Sequence, residues 1–180
     1  ADNAEEARAA LIAWRAGEPA PAVLRKTSTA AAAGSQKTAY VFSGNGPQWW
    51  GMGRELLAEC PPFRAAIEEV DAVFKPLAGW SLIERMGLPE DQVDIALTEV
   101  AQPMLFAQQV ALVKVLAEAG IAPDVVFGHS VGEAAAAWAS GALTLEQATH
   151  VIFHRSQQQA TTRGAGKMAA VGLSQAETEA

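Results

Sequence analysis

A chain of 180 residues that is 50% hydrophobic and 18% charged is too apolar to be disordered, and it is long enough for one domain with a core or part of a larger one. Its single cysteine, Cys60, excludes an internal disulfide framework or a cysteine-rich metal site and points to a reducing cytoplasm. The net charge of −7 argues against nucleic acid, no apolar run approaches a membrane span of ~20 residues, and the amino terminus lacks signal-peptide order.

Residues 1–17 have the spacing of a short amphipathic helix, with Ala10, Leu11 and Trp14 on one face. From 18 to 37 the chain is rich in Pro, Ala, Ser and Thr and reads as a linker. Residues 38–43 read as a buried strand broken by Gly44, Asn45 and Gly46. Helices are predicted over 52–59 and 63–74, punctuated by Pro61 and Pro62, and residues 91–100 are irregular or weakly helical. Pro103 is expected to open an apolar helix ending near Ala119, with Gly120 just past its end. A strand over 124–128 follows, then a helix over 131–139 stopped by Ser140 and Gly141. Thr144 with Gln147 is a capping-box signature, so the next helix starts at Leu145 and runs to about Ala160. Gly164 and Gly166 break it, and 167–173 reads as a new strand. Strands alternating with helices predict an α/β fold, with a mostly parallel sheet covered on both faces.

The second strand carries the chemistry. Val125, Val126 and Phe127 run into Gly128-His129-Ser130-Val131-Gly132, a Gly-x-Ser-x-Gly turn between strand and helix, as a nucleophile elbow requires. A Cβ at Gly128 or Gly132 would crowd the neighbouring strand or helix, and glycine tolerates unusual dihedrals. Such a turn holds the Ser130 hydroxyl at the carboxyl edge of the sheet, over the positive end of the following helix. An ordinary glycine-rich turn is the competing reading, and the flanks on both sides favour a nucleophile.

Arg155 falls with Ala148, Val151, Ile152 and Gln159 on one face of the helix from Leu145. An arginine on a core-facing stripe is costly unless it meets an anion. Two readings stand side by side: a structural partner such as Glu133 (or a side chain that snorkels to solvent), and a bidentate grip on a substrate carboxylate. The glycine-rich run 44–53 fails the dinucleotide fingerprint at Trp49 and lacks a P-loop lysine, but such a turn can offer a backbone N–H to an oxyanion. His129 should point away from Ser130 and pack. His150 and His154 have metal-pair spacing without an acidic or cysteine companion on their face.

With these residues read, the chain resembles the amino-terminal half of an acyltransferase domain of a type I polyketide synthase, in the malonyl-CoA:acyl-carrier-protein transacylase family. The likeness is carried by residues 41–56 (from Val41-Phe-Ser-Gly-Asn-Gly to Leu56), Gly79-Trp80-Ser81, Glu99 to Pro103, Gly128 to Glu133, His154-Arg155-Ser156 and Gly166 to Val171, in family order and spacing. The resemblance implies an α/β-hydrolase-like large subdomain over 38–165, the start of a truncated ferredoxin-like small subdomain over 166–180, and a ketosynthase-to-acyltransferase linker over 1–37. It further implies Ser130 as the acylated nucleophile, the backbone N–H groups of Asn45 and Val131 as the oxyanion hole, Gln102 lining the site, and Arg155 on the extender carboxylate. His129 is a possible lining residue. Asn45 departs from the usual family glutamine, which leaves a backbone contribution intact.

By the same resemblance, the general-base histidine lies beyond residue 180, so the chain is not expected to turn over alone. It would bind no metal and no resident cofactor; malonyl-CoA is the substrate, and phosphopantetheine is carried by a partner acyl carrier protein. The other implied partners are the neighbouring ketosynthase and the remainder of the acyltransferase domain. Val131 after the nucleophile resembles malonyl-loading members, where methylmalonyl members often carry glutamine. A methylmalonyl enzyme, a serine thioesterase on the same elbow, and a docking element with a decayed site are the alternatives.

Overall fold

The computed structural model describes residues 3–18, 37–166 and 171–179, in two compact units spanning 1–36 and 37–180. In the first unit, α1 (Ala4–Arg15) is capped by Asn3, whose side chain accepts the Glu6 N–H at 2.9 Å. Glu5 and Glu6 in its first turn and Arg15 in its last complement the helix dipole. Most of the predicted linker lies outside the described residues.

In the second unit, β1 (Ala39–Phe42) and β2 (Val125–Gly128) pair in parallel, with Ala39 opposite Val125 and Phe42 opposite Gly128. The Asp124 carboxylate accepts the Thr38 N–H at 2.7 Å, and the Tyr40 hydroxyl donates to the Ile121 carbonyl at 2.8 Å, which fixes the register. Alternation then sorts the side chains: Phe42 is buried and Tyr40 and Val126 half-buried on one face. Val41, Val125 and Phe127 stand on the other at 64, 50 and 53% exposure. The expected cover of helices on both faces is therefore seen on one, among the described residues.

Helices α2 (Arg54–Glu59), α3 (Pro61–Ala78), α4 (Leu82–Gly87), α5 (Thr98–Glu118), α6 (Gly132–Ala139) and α7 (Leu145–Ala160) complete the unit, with a short α8 (Gln175–Thr178) near its end. α3 begins two residues before the expected start, because Pro61 and Pro62 occupy its first positions, where a missing N–H costs no bond. Phe63, Ile67, Val70 and Phe74 recur at helical spacing and are buried, each large side chain contributing about 1.5–3 kcal/mol. α4 has no counterpart among the predicted elements. It starts at Ser81, whose hydroxyl accepts the Glu84 N–H at 3.2 Å, while buried Asp71 accepts from the Ser81 hydroxyl and the Leu82 N–H, both at 2.6 Å. Its far end is closed by Arg54, which donates to the carbonyls of Met86 and Leu88 at 2.8 and 2.6 Å and stacks on Trp50.

α5 starts five residues before Pro103, at Thr98, so the proline sits inside the helix rather than opening it. The cost is one missing N–H near the helix start, borne by the Glu99 carbonyl. By length and composition α5 could cross a membrane, but 56% of its most apolar window is buried, with Val100 to Ala107 all enclosed, as in the central helix of a protein core. α7 forms with both capping-box bonds in place. Its buried face is Ala148, Thr149, Ile152 and Ser156, whereas Val151 is exposed, so the stripe is rotated from the expected one and Arg155 lies half-buried at its edge. Of the predicted strand over 167–173, residues 167–170 lie outside the described residues, and 171–173 form no strand.

Candidate active site

Ser130 stands at the tip of the turn from β2 into α6 with φ +55°, the one non-glycine residue in the left-handed region among the described residues. Such a conformation costs on the order of 1–3 kcal/mol and persists only where packing imposes it. Here the imposition is visible. A Cβ on Gly128 would lie 2.2 Å from the Gly132 carbonyl oxygen, and one on Gly132 would lie 2.2 Å from that of Phe42. The two glycines let strand and helix touch, and neither takes a positive φ; the unusual dihedral expected of them belongs to the serine. The first turn of α6 is held by Gly132 N–H to the His129 carbonyl at 3.0 Å and Glu133 N–H to that of Ser130 at 3.1 Å.

The guanidinium of Arg155 reaches this tip. Nη2 donates to Ser130 Oγ at 2.9 Å, and Nη1 donates to the side-chain carbonyls of Gln102 and, at 3.3 Å, Gln159. Gln102 is fully buried on α5, and its amide donates to Thr98 Oγ1 and Gln159 Oε1. Every hydrogen-bond partner of Arg155 among the described residues is neutral. The ion pairs among the described residues are Lys75–Glu84, Lys114–Glu69 and Arg163–Glu99, and Glu133 is exposed without a bond to Arg155. A half-buried cation whose partners carry no charge leaves a positive field at the nucleophile. Close by, the Arg163 guanidinium holds the Glu99 carboxyl below its usual range, so that acid is ionised and already engaged.

The turn after β1 lies against the elbow: a Cβ on Gly44 would be 3.2 Å from Ser130 Cβ. Asn45, the next residue, is exposed, and Val131 is buried at the start of α6. Among the described residues neither N–H donates to a protein acceptor. The exposed His129 has its ring beside Gly44, with Nδ1 3.1 Å from the position of a Gly44 Cβ, and makes no hydrogen bond to Ser130. His150 and His154 pair with ring centroids 6.2 Å apart, and no third His, Cys, Asp or Glu joins them among the described residues. Sequence reasoning gives no role to Thr98 or Gln159. The spacing of Gln159, one turn after Arg155 and on its face, is the signal available.

A parallel α/β layer with a strained serine between strand and helix defines the class of proteins built on a nucleophile elbow. Residues 39–180 match the model of the acyl transferase domain, and the chain belongs to that family. It is 41% identical over 175 residues to a phenolphthiocerol/phthiocerol polyketide synthase of Mycobacterium tuberculosis, covering 97% of this chain and 11% of that one. Among solved structures it is similar to the acyltransferase domain from module 8 of the salinomycin polyketide synthase (35% identity, TM-score 0.73, 89% of this chain and 37% of that one). It is also similar to the malonyl-CoA:ACP transacylase of Synechocystis (32% identity, TM-score 0.61, 71% and 41%). The chain thus spans about two fifths or less of the proteins it matches.

Proposed function

We propose that this chain is the nucleophile-bearing part of an acyltransferase that moves a malonyl unit from coenzyme A to the phosphopantetheine thiol of an acyl carrier protein, within a cytoplasmic polyketide synthase. The observation that carries the reading is the 2.9 Å contact between Arg155 and Ser130, in a site where no carboxylate among the described residues pairs with the cation. In a malonyl thioester a single methylene separates the carboxylate from the reacting carbonyl, so a cation that selects it must stand beside the nucleophile. Arg155 meets that requirement, and its planar fork suits a carboxylate better than a lysine would.

In the reaction, Ser130 Oγ attacks the thioester carbonyl carbon while its proton passes to a histidine supplied from outside residues 1–180. The tetrahedral oxyanion rests on the N–H groups of Val131 and Asn45, donors of a type whose removal costs about 3 kcal/mol. Collapse expels the coenzyme A thiolate, which takes the proton back, and leaves malonyl-Ser130. The carrier thiol then attacks that ester by the same steps in reverse. Arg155 raises the affinity for a diacid over acetyl, because a neutral acyl group cannot use its charge. The outer sheet face of Val41, Val125 and Phe127 supports a second element of the proposal: the remainder of the domain packs there, since α/β sheets of this kind are covered on both sides.

The test is to follow radiolabelled malonyl-CoA through the complete acyltransferase domain with a carrier protein present. Label on the carrier supports the proposal, and free malonate as the dominant product overturns it in favour of a hydrolase.

A further inference from the structure

We propose that Gln159 is a specificity-determining positioning residue, which acts on Arg155 through the buried amide of Gln102; the proposal rests on the acyltransferase reading above. Gln102 is fully enclosed, so each polar atom of its side chain needs an internal partner. Its nitrogen donates to Thr98 Oγ1 and Gln159 Oε1, which leaves its oxygen to accept from Arg155 Nη1. Thr98 alone does not determine which way round the amide sits, because a hydroxyl can donate as well as accept. The Arg155 guanidinium, a donor only, turns the Gln102 oxygen toward itself, and the Gln159 oxygen supplies the acceptor that the buried NH2 then needs on the other side. Turned over, Gln102 would aim its NH2 at the guanidinium and its oxygen at another oxygen.

The same Gln159 oxygen accepts from Arg155 Nη1 at 3.3 Å. Both amides therefore hold one nitrogen of the guanidinium, and Nη2 is turned to Ser130. Because both holders are neutral, they fix direction without cancelling charge. A glutamate at 159 would hold Gln102 as well as glutamine does, but it would compete with the substrate carboxylate for Arg155. A methionine would fill the same space and hold neither. Chemistry and shape thus separate the two jobs of the residue.

The experiment compares malonyl and acetyl loading of Ser130 in the complete domain for wild type, Gln159→Glu, Gln159→Met and Arg155→Ala, with kcat and KM measured separately. We expect Gln159→Glu to lower the malonyl-to-acetyl ratio at least tenfold, chiefly through KM for malonyl-CoA, and Gln159→Met to lower it by a smaller factor. If Arg155→Ala lowers the ratio while neither Gln159 variant does, the positioning role is overturned and the acyltransferase reading stands. If Arg155→Ala leaves the ratio unchanged, the diacid reading itself fails. Thermal unfolding of each variant identifies loss of fold, and a ratio unchanged in a folded Gln159→Glu protein rejects the proposal.

Discussion

Arg155 and Ser130 are 25 residues apart in sequence and 2.9 Å apart in space, joined by a hydrogen bond from Nη2 to Oγ. The contact exists because α7 and the elbow both pack on α5: Gln102 on that helix receives the other guanidinium nitrogen. A nucleophile and a cation are thereby brought together by a third element that meets the cation with a neutral amide.

Replacing Arg155 by alanine should therefore separate substrates. Loss of a charge-assisted hydrogen bond costs about 1.5–3 kcal/mol, so malonyl loading should fall roughly 10- to 100-fold relative to acetyl loading. Competition between the two thioesters for the same enzyme, read by mass spectrometry, gives the ratio directly. Equal losses for both would make the arginine structural.

Gly132→Ala addresses the elbow itself. Its new Cβ would sit 2.2 Å from the Phe42 carbonyl oxygen, and a backbone atom in a sheet cannot step aside as a side chain can. A loss near the upper end of the usual 1–3 kcal/mol for overpacking is expected, measured by denaturant unfolding. A variant as stable as wild type would mean that β1 and α6 are less closely apposed.

Those glycines mark how far the sequence can be read. Gly128 and Gly132 are legible as close-approach positions because Gly-x-Ser-x-Gly between a strand and a helix has one economical packing. The left-handed φ of Ser130 is not, since it is imposed by both neighbours at once and no propensity at the position announces it. The capping box names the start of α7 to the residue, a local rule satisfied by local atoms. The face of α7 differs from the expected one by about one residue, with Val151 exposed rather than in the core, because periodicity alone does not say which edge of a stripe meets α5. α4 has a local start signal in Ser81 and Glu84 that the sequence reading leaves unused, whereas the buried Asp71 that holds Ser81 lies ten residues earlier and no local rule connects the two.

Asp71→Ala should show what that distant cap contributes. Removing the carboxylate leaves the Ser81 hydroxyl and the Leu82 N–H without their acceptor in a buried setting. A destabilisation of about 1–3 kcal/mol is expected in chemical denaturation, and less than a few tenths would contradict the role assigned to it.

The Arg163–Glu99 pair predicts an acid dependence with a definite sign. Arg163 depresses the Glu99 pKa, so the pair stabilises the fold above the ordinary value of 4.5 and that contribution is lost as pH falls through the lowered value. The stability difference between wild type and Glu99→Gln should be below about 1 kcal/mol at neutral pH and should shrink on acidification below pH 4.5. A difference that grows on acidification would reverse the sign and refute the pairing.

The most direct measurement of the whole account is peptide mapping of the complete domain after brief exposure to malonyl-CoA and acid quench. One malonyl group on the peptide carrying Ser130, absent from Ser130→Ala and strongly reduced in Arg155→Ala, is the predicted result. A malonyl group elsewhere, or no covalent adduct while transfer to the carrier proceeds, would contradict it.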